Sequence, residues 1–448
     1  MLPDEALLEI FDFYVVEAMG EVEDEYQRMK AWQALVHVCR RWRSVVFGSP
    51  RRLELKLVCH TQTPARDTLD VWPALPLGLA GDTDYVDNIV ALLECSDRIN
   101  QIDLWGANWE DILEAMEVPF PELTYLWLEH SYESEPVIPL SDSFLGGSAP
   151  RLQSLHFECI PFLGLPKLLS SATHLTVLRF DRIPHSGYIS PEAMVACLAL
   201  LTSLKAFILG FLSPQSRPDR ESRRPPPSTR TVLPALRLFW FRGVCEYLED
   251  LVARIDAPRL NSFETTFVND IDFDVPQFTQ FISRTPTMEA FDKATVVLWD
   301  HRATIKLSLN TFDGRRVTVG ISCGMLDWQL SFLEQVCTSS LPPLSVLDDL
   351  YITNYRSLGD DIDSLSWLEL LHPFTTVKNL YLSEAIAPHI VPALQELAAG
   401  RVTDVLPNLQ NIFVEELQPS GSVQEGIGKF IAARQLTGHP ITVSRWDS

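Results

Sequence analysis

Leu123-Thr124-Tyr125-Leu126-Trp127-Leu128 is one copy of an L-x-x-L-x-L pattern that recurs along most of this chain. With apolar exchanges at the leucine positions, the other copies begin at Ile99, Leu152, Leu175, Leu204, Leu236, Leu347, Val377 and Leu409, with fainter ones at Leu260 and Met288. From 99 to 288 the steps between copies are 24, 29, 23, 29, 32, 24 and 28 residues. The alternation predicts a β-strand at each copy, and recurrence at this interval predicts one structural unit per repeat.

Helical patterns lie between the predicted strands. Ser190 and Pro191 are residue types favoured at the N-cap and the first position of a helix, and this helix runs through Leu201. Further helices are predicted at Glu246–Ile255, Val275–Ser283, Leu326–Cys337, Pro388–Ala398 and Val423–Leu436. One strand and one helix per repeat predict an α/β fold, an irregular leucine-rich-repeat solenoid with a parallel sheet inside and helices outside. The position three residues after each motif forms no asparagine ladder.

The N-terminal stretch has a different pattern. Leu7, Ile10, Phe11 and Tyr14 have the spacing of a core-facing helical stripe. A second stripe with helical spacing consists of Trp32, Leu35, Val36, Cys39, Trp42 and Val46. Two helices this short cannot bury both stripes between themselves, so the rest of the chain or another protein must cover some of their apolar surface.

The stretch contains Leu2-Pro3-x-Glu5-x-Leu7-Leu8-x-Ile10-Phe11, followed by Leu35-Val36-x-Val38-Cys39-Arg40-x-Trp42-Arg43. This combination resembles an F-box. The segment between them, Gly20 to Lys30, is longer and more acidic than a typical F-box connection. The resemblance implies binding to the adaptor subunit of a cullin–RING ubiquitin ligase. The residues that would contact the adaptor or hold the helices are Leu2, Pro3, Leu7, Ile10, Phe11, Leu35, Val38, Cys39 and Trp42. With the repeats, the chain is similar to fungal-type F-box proteins that carry leucine-rich repeats.

Three regions follow from these patterns. Residues 1–50 form the F-box-like helical module. Residues 51–98 contain a strand in the alternating segment 51–57, a linker at 61–81 and a helix leading into the repeats. Residues 99–448 form the solenoid, interrupted by a Pro/Ser/Arg-rich segment at 213–231 that is predicted to be a disordered loop. A β-hairpin insertion is predicted at about 295–322, where Thr304–Leu309 and Arg316–Ile321 flank a turn ending in Gly314.

The inner face of the solenoid is the predicted partner-binding surface. The leucines of each motif point into the core, so the residues between them face outward. These outward positions are rich in aromatic residues and arginine, which anchor protein interfaces. The predicted contacts are Trp105, Tyr125, Trp127, His156, Arg179, Trp240, Tyr351, Tyr381 and Phe413. The alternative is that the hairpin, the C-terminal tail or the Pro-rich loop covers part of this face.

Composition and motif content narrow the function classes. A net charge of −23 argues against binding nucleic acid or an anionic membrane. The eight cysteines are scattered singly, which suits free thiols in a reducing compartment, and no segment reads as a signal or a membrane span, so we expect a cytoplasmic or nuclear protein. The Asp270-x-Asp272-x-Asp274 spacing begins like a calcium loop, but Val275 and Phe281 replace the Gly and Glu that such a loop requires.

The sequence therefore predicts a non-enzymatic protein without cofactor or metal. The leading interpretation is the substrate-recognition subunit of an SCF-type ubiquitin ligase, which binds the adaptor and cullin complex through the F-box and an unknown target protein through the solenoid. The alternative is a ligase-independent interaction scaffold, in which the F-box-like helices merely cap the solenoid.

Overall fold

The structure is a computed structural model. It describes residues 2–19, 34–48, 55–59, 65–71, 75–131, 139–162, 165–213, 229–268, 275–288, 290–309, 314–339, 341, 344–355, 364–398, 403–415 and 421–446. The chain divides into two compact units, Met1–Leu178 and Arg179–Ser448, here unit 1 and unit 2.

Unit 1 is a parallel sheet with an α-helix between most of its successive strands. Its elements are α1 Asp4–Met19, α2 Arg40–Phe47, β1 Leu55–Cys59, α3 Ala65–Val71, β2 Leu77–Asp82, α4 Val86–Leu93, β3 Ile99–Gly106, α5 Glu110–Ala115, β4 Tyr125–His130, β5 Ser154–Glu158 and α6 Leu165–Ser171. Strands β1 to β5 pair in chain order, and every pair is parallel. The predicted α/β repeat architecture is therefore present in this unit.

The leucines of the motif form the core, as the alternation predicts. In β4, Leu126 and Leu128 are fully buried, whereas Tyr125, Trp127 and Glu129 on the other face are half-buried. In register, Leu126 lies between Ile102 of β3 and Leu155 of β5. The segments that precede the strands also bond from repeat to repeat. The Thr124 N–H donates to the Asn100 carbonyl, and the Gln153 N–H donates to the Thr124 carbonyl, each at 2.8 Å.

Unit 2 repeats this arrangement with one reversal. Its elements are β6 Val177–Ile183 (which begins two residues before the unit boundary), α7 Pro191–Leu198, β7 Ala206–Phe211, β8 Thr231–Val232, β9 Leu238–Gly243, α8 Cys245–Val252, β10 Ile255–Asp256, β11 Ser262–Val268, α9 Pro276–Ser283, β12 Lys293–Trp299, β13 Arg302–Ser308, β14 Arg316–Ser322, α10 Leu326–Ser339, β15 Asp349–Asn354, α11 Ser364–Leu371, β16 Asn379–Leu382, α12 Ala387–Ala398, β17 Asn411–Val414, α13 Ser422–Leu436 and β18 Thr442–Arg445. From β7 onward the strand order is β7-β9-β11-β14-β13-β12-β15-β16-β17-β18, and β8 pairs separately with β10.

The predicted hairpin is confirmed and proves to be part of the sheet. β13 is antiparallel to both β12 and β14. Because β14 lies beside β11 and β12 lies beside β15, both outer strands of this meander pair in parallel with the repeats on either side. The turn at 310–313 lies outside the described residues.

The faint copy at Met288 was predicted three residues too early. The β12–β15 register places Ala294 opposite Leu350 and Val296 opposite Ile352. The first apolar position of this copy is therefore Phe291, which is buried. The error arose because Ala294 occupies the central leucine position, where its small side chain weakens the pattern.

Two further expectations need correction. The segment 61–81 was predicted to be a linker, yet it contains α3 and most of β2, whose small residues Gly78, Ala80 and Gly81 gave no strand pattern. The second N-terminal stripe was predicted as one helix, but helix at residues 34–36 is followed by a turn before α2 begins at Arg40. Residues 51–54 and 61–64, most of the predicted loop at 213–231 and the spacer with Trp32 lie outside the described residues.

The helix predictions agree closely with α8, α9, α10, α12 and α13. At α7, the Ser190 hydroxyl accepts the Ala193 N–H at 3.2 Å and Pro191 takes the first helical position, as predicted. In the part of the chain that the structure describes, no helix is both long enough and apolar enough to cross a membrane.

Candidate functional site

The N-terminal helices share a small core with the first strands of unit 1. Leu7 and Phe11 of α1 are buried with Leu35, Val45 and Val46. Leu77 of β2 belongs to the same cluster, with Leu69 and Leu75 packed against its edge. The Trp42 ring lies 4.6 Å from the Phe11 ring between centroids. The predicted residues Leu7, Phe11, Leu35 and Trp42 therefore hold the helices in place.

Polar contacts fix α2 against the start of α1. The Cys39 thiol accepts the Trp42 N–H at 3.5 Å, so Cys39 is the N-cap of α2. Arg41 donates to the Leu2 carbonyl and, at 2.9 Å, to the Asp4 carboxylate. Both side chains of the Arg41–Asp4 pair are partly exposed, so the pair orients the helices more than it stabilises them.

A second group of apolar residues, on α1 and in the segments that precede α1 and α2, is exposed, and we call it the N-terminal apolar set. It consists of Leu2 (53% exposed), Ile10 (50%), Phe13 (71%), Tyr14 (45%) and Val38 (59%). Phe13 and Tyr14 follow Ile10 by three and four residues, so both are its neighbours on the surface of α1. Of the predicted adaptor contacts, Leu2, Ile10 and Val38 are in this set, and Pro3 and Cys39 are also exposed.

Ile10 and Tyr14 were predicted to face the core, and this was wrong. Successive residues are about 100° apart around an α-helix. Ile10 lies between Leu7 and Phe11 along the axis of α1 but points to a different side from Phe11, so its exposure reflects which side of α1 is covered. Leu7 and Phe11 meet the buried cluster, while Ile10 and Tyr14 remain at the surface.

The outward face of β2 to β5 carries four of the predicted partner-binding residues. We call it the unit 1 sheet face, defined by the outward residues Gly78, Ala80, Asp82, Gln101, Asp103, Trp105, Tyr125, Trp127, Glu129, Ser154, His156 and Glu158. The Trp127 and His156 rings are stacked at 4.9 Å and 10°, and Tyr125 lies 5.6 Å from His156. His156 Nε2 is 2.7 Å from the Ser154 hydroxyl. Trp105 is the most open of these residues, at 36% exposed.

Three predicted residues of unit 2 form a continuous stack. The rings of Tyr351 and Tyr381 are parallel at 4.0 Å, and those of Tyr381 and Phe413 at 4.5 Å. Trp446 meets the edges of both tyrosines, at 5.7 Å and 5.6 Å, and its indole N–H donates to the Leu382 carbonyl at 3.2 Å. The chain therefore covers part of this stack with its own C-terminal segment, and burial raises the pKa of the Tyr351 hydroxyl.

Beside this stack runs a polar ladder that the sequence did not reveal. The Asn379 amide donates to the Asp349 carboxylate, and the Asn411 amide donates to the Asn379 carbonyl oxygen, each at 2.7 Å. Thr442 donates to the Asn411 side-chain oxygen at 2.5 Å. The available signal was the shared position of asparagine in Asn379-Leu380-Tyr381-Leu382 and Asn411-Ile412-Phe413-Val414.

Arg179 and Trp240 are not part of the stack. Strands β11, β14, β13 and β12 separate the Trp240 strand from the Tyr351 strand. The Trp240 ring lies over Gly210, where an added Cβ would come within 2.8 Å of the indole. Arg179 donates to the Asp181 carboxylate at 3.0 Å.

The described residues include titratable side chains both in the core and at the surface. Among them, no group of three or more His, Cys, Asp or Glu is arranged to hold a metal. Burial raises the pKa of the Cys59 thiol to about 12 and that of Cys197 to about 11, so both stay protonated and unreactive near neutral pH. The acidic runs at 270–274 and 360–363 lie outside the described residues.

Comparisons with known proteins found no matching family model and no matching curated protein. Among solved structures, the crystal structure of a TLR13–ssRNA13 complex matches with a TM-score of 0.36 and 10% identity, over 88% of this chain and 49% of that one. This chain thus spans about half the length of that protein. The leucine-rich repeat-containing protein LegL7 from Legionella pneumophila matches with a TM-score of 0.30 and 12% identity, over 84% of this chain and 97% of that one. TM-scores this low carry no argument about function.

Proposed function

We propose that this chain is the target-binding subunit of an SCF-type cullin–RING ubiquitin ligase. In this proposal the N-terminal helices bind the adaptor, and the outward sheet faces bind a target protein. The chain contributes no catalytic group of its own. The observation that carries the proposal is the exposed N-terminal apolar set on helices whose sequence resembles an F-box.

The exposure of this set is costly unless a partner covers it. Complete burial of one large apolar side chain is worth about 1.5–3 kcal/mol. Five such residues are about half exposed or more. Ile10, Phe13 and Tyr14 are on α1, Leu2 precedes that helix, and Val38 is in the turn before α2. Clustered exposed apolar residues mark interaction sites on soluble proteins. A helix that served only to cap the repeats would turn its apolar residues inward.

The sheet faces support the second half of the proposal. Trp105, Trp127 and Trp240 occupy outward positions at which polar residues would serve solubility equally well. Tryptophan is a frequent anchor of protein interfaces. Binding on such a face leaves the buried leucines undisturbed, so one fold can accept different outward residues.

The test is adaptor binding by the full-length chain. Ile10→Glu with Phe13→Glu places two carboxylates in the N-terminal apolar set while leaving Leu7 and Phe11 in the core. We expect adaptor affinity to fall at least about 100-fold with an unchanged melting temperature. The measurement is titration calorimetry with purified adaptor, supported by thermal melting.

The matched control is Leu436→Glu with Met325→Glu. These residues are exposed apolar positions of unit 2, at 89% and 57%, and their change should leave adaptor affinity unaltered. Failure of the unmodified chain to bind any adaptor would contradict the ligase proposal.

The ligase-independent scaffold remains the second candidate because Leu77 of β2 shares one core with Leu7 and Phe11. That shared core is what a cap requires. The scaffold function predicts that the chain binds a target protein but not the adaptor. The adaptor titration, combined with a target pull-down, therefore distinguishes the scaffold from the ligase subunit.

A further inference from the structure

The central strands of unit 2 carry a surplus of positive charge on their outward face. We call the residues of β9, β11, β14, β13 and β12 that alternate with the buried core positions the unit 2 cationic face. One carboxylate and five cations lie on it, namely Glu264, Arg242, Arg302, Lys306, Arg316 and Lys293. Because the whole chain has a net charge of −23, this local surplus is opposite in sign to the rest of the molecule.

Two of the five cations have acidic neighbours within the chain. Arg302 pairs with Glu264 at 3.1 Å. Lys293 is in register with Asp349 of β15, and its ammonium lies 3.7 Å from the centre of the Tyr351 ring. The other three cations form no ion pair with any residue that the structure describes, and they are Arg242, Lys306 and Arg316.

The carboxylate of Asp181 approaches the strand beside Arg242 but is bound elsewhere. It lies 2.6 Å from the place of an added Cβ at Gly210, the residue in register with Arg242. It accepts the Arg179 guanidinium at 3.0 Å and the Arg182 N–H at 2.9 Å. Asp181 is therefore compensated by Arg179 and does not neutralise Arg242.

Three cations surround one serine at the first end of the face. Ser308 of β13 lies in register between Arg316 of β14 and Lys293 of β12, and Lys306 is two residues from Ser308 on the same strand. Neighbouring strands are about 4.8 Å apart, so an anion over Ser308 is within reach of all three side chains. Arg316 Nε donates to the Ser262 hydroxyl at 2.9 Å, a neutral acceptor that leaves its charge uncompensated.

The crowding of like charge acts on Lys293. Burial lowers the pKa of its ammonium, the Asp349 carboxylate raises that pKa, and the Lys306 ammonium lowers it again, with a smaller rise from Asp292. Lys306 itself is exposed. A bound carboxylate would relieve the repulsion between the two ammonium groups.

The second end of the face has buried donors without acceptors. Thr266 lies in register between Arg242 and Gly320, and its side chain is 4% exposed. Its hydroxyl has no hydrogen-bond partner among the described residues, and the same holds for the Nε atoms of Arg242 and Arg302. Because buried polar groups are rarely left unpaired, these donors favour a ligand that carries acceptor oxygens.

We propose that the unit 2 cationic face binds an acidic segment of the target protein through its Asp or Glu side chains. The inference rests on the proposed function, because it names the chemistry of the target. Carboxylates would pair with Lys306 and Arg316 at the first end and accept from Arg242 and Thr266 at the second. The two ends are four residues apart along the strands and two strands apart, about 16 Å in all, which an extended segment of about six residues spans.

A short acidic peptide fits this face better than a nucleic acid does. A nucleic acid carries phosphates far beyond the face, where they meet the repulsion from the net charge of −23. A peptide of six residues stays within about one Debye length, about 8 Å, of the cations, so more distant acids are largely screened.

The test uses the full-length chain and three labelled peptides in which every second residue is glycine. The residues between the glycines are glutamate in the first, glutamine in the second and phosphoserine in the third. We expect the glutamate peptide to bind and the glutamine peptide to bind at least tenfold more weakly. A single-stranded oligonucleotide of similar length is expected not to bind. Fluorescence anisotropy is the readout.

Two variants locate the binding on the face. Lys306→Gln with Arg316→Gln should weaken glutamate-peptide binding at least tenfold. Lys306→Gln alone changes an exposed side chain that has no hydrogen bond within the described residues, so it should keep the melting temperature and still weaken binding at least threefold. The matched control, Arg259→Gln with Lys429→Gln, removes the same charge from exposed positions of unit 2 and should change binding less than twofold.

Four results would overturn the inference. The first three are no binding of the glutamate peptide, equal binding of the glutamine peptide, and equal losses in the face variant and the control, which would mean attraction by overall charge. The fourth is binding of the phosphoserine peptide or the oligonucleotide without the glutamate peptide, which would assign the face to phosphate groups.

The acidic run of the chain itself, at 270–274, is the remaining alternative occupant. If the glutamate peptide bound only after Asp270→Asn, Asp272→Asn and Asp274→Asn, that run would occupy the face and the target assignment would be wrong. Adaptor binding is measured separately at the N-terminal apolar set. Glutamate-peptide binding by a chain that binds no adaptor would refute the ligase proposal and leave this inference standing, and the converse result would do the reverse.

Discussion

Arg434 shows how a single buried charge can hold a turn. Its side chain is fully buried, and Nη2 donates to the carbonyls of Leu406, Pro407 and Leu409 at 3.3, 3.1 and 3.2 Å. Leu406 lies in the left-handed region with φ of 48°, which is unfavourable for a residue with a branched side chain. All three contacts are made by this one nitrogen, whose two N–H groups are shared among the three carbonyls.

We predict that Arg434→Ala lowers the free energy of unfolding by about 2–4 kcal/mol, because the change leaves the three carbonyls without this donor and opens a cavity. Arg434→Lys should recover only part of this loss, since the lysine ammonium is more strongly hydrated than a guanidinium and is carried on a flexible stem, so its burial costs more. Denaturant unfolding followed by circular dichroism is the measurement.

Lys429→Ala on the same helix is the control. Lys429 pairs with Glu425 at 2.8 Å, but both side chains are mostly exposed, so the loss should stay below about 0.5 kcal/mol. If Arg434→Ala and Lys429→Ala lowered the free energy of unfolding by similar amounts, burial would not account for the contribution of Arg434 to stability.

At the scale of elements, the helices of unit 2 are tied to one another by side chains distant in sequence. The buried Glu249 of α8 accepts the N–H groups of Gln277 and Phe278 at 2.9 and 2.7 Å. These are the first free donors of α9, because Pro276 has no N–H. A carboxylate at a helix N-terminus also has favourable charge. Glu249 thus caps α9 from the neighbouring repeat.

Glu249→Gln should therefore cost about 1–3 kcal/mol, because one carboxylate oxygen becomes an NH2 group that cannot accept a hydrogen bond. The expected signature is early loss of amide protection in α9, measured by hydrogen exchange. Glu246→Gln, on the first turn of α8, should leave α9 unchanged. If amide protection of α9 were the same in Glu249→Gln as in the unmodified chain, Glu249 would not be the cap of α9.

The N-terminal helices illustrate how far pattern alone determines an interface. Helical spacing correctly identified Leu7 and Phe11 as buried, but it could not separate them from Ile10 and Tyr14. That separation depends on which side of α1 the cluster of Leu35, Val45, Val46 and Leu77 covers, and this is decided by tertiary contacts. The Leu69, Leu75 and Leu77 contacts also lie beyond residue 50, so an isolated fragment 1–50 would lack part of its core.

At the scale of the whole molecule, a repeat array should transmit damage only to its neighbours, because each repeat contacts those beside it. Leu380 of β16 is fully buried between β15 and β17. We predict that Leu380→Ala costs about 2–5 kcal/mol and lowers amide protection in β15, β16 and β17, with little change in β9 and β11. Hydrogen exchange with mass spectrometry resolves these segments.

Lys378→Ala serves as the comparison. Lys378 lies two residues away and pairs with Asp348 at 2.8 Å, with both side chains about half exposed. Its replacement should leave protection in β16 intact. A uniform loss of protection across unit 2 in the Leu380 variant would show a single cooperative unit in place of local coupling.

The sequence by itself determined the α/β class, the positions of most strands and helices, and the burial of the motif leucines. These features depend on local alternation, helical spacing and capping residues such as Ser190. Each of these signals involves only residues that are close together in the sequence. It also identified the outward aromatic positions, because a strand turns alternate residues to opposite faces.

Only the tertiary structure decided how distant residues meet. The insertion of β13 between β12 and β14, the cover that Trp446 provides for Tyr351 and Tyr381, and the cap that Glu249 provides for α9 each join segments separated along the chain. Periodicity predicts which face of a strand or helix a residue occupies. It does not predict which distant segment of the chain packs on that face. The alternation of Trp105 and Trp127 with Asp103 and Glu129 follows from strand register, which is set by packing between repeats rather than by any one of them.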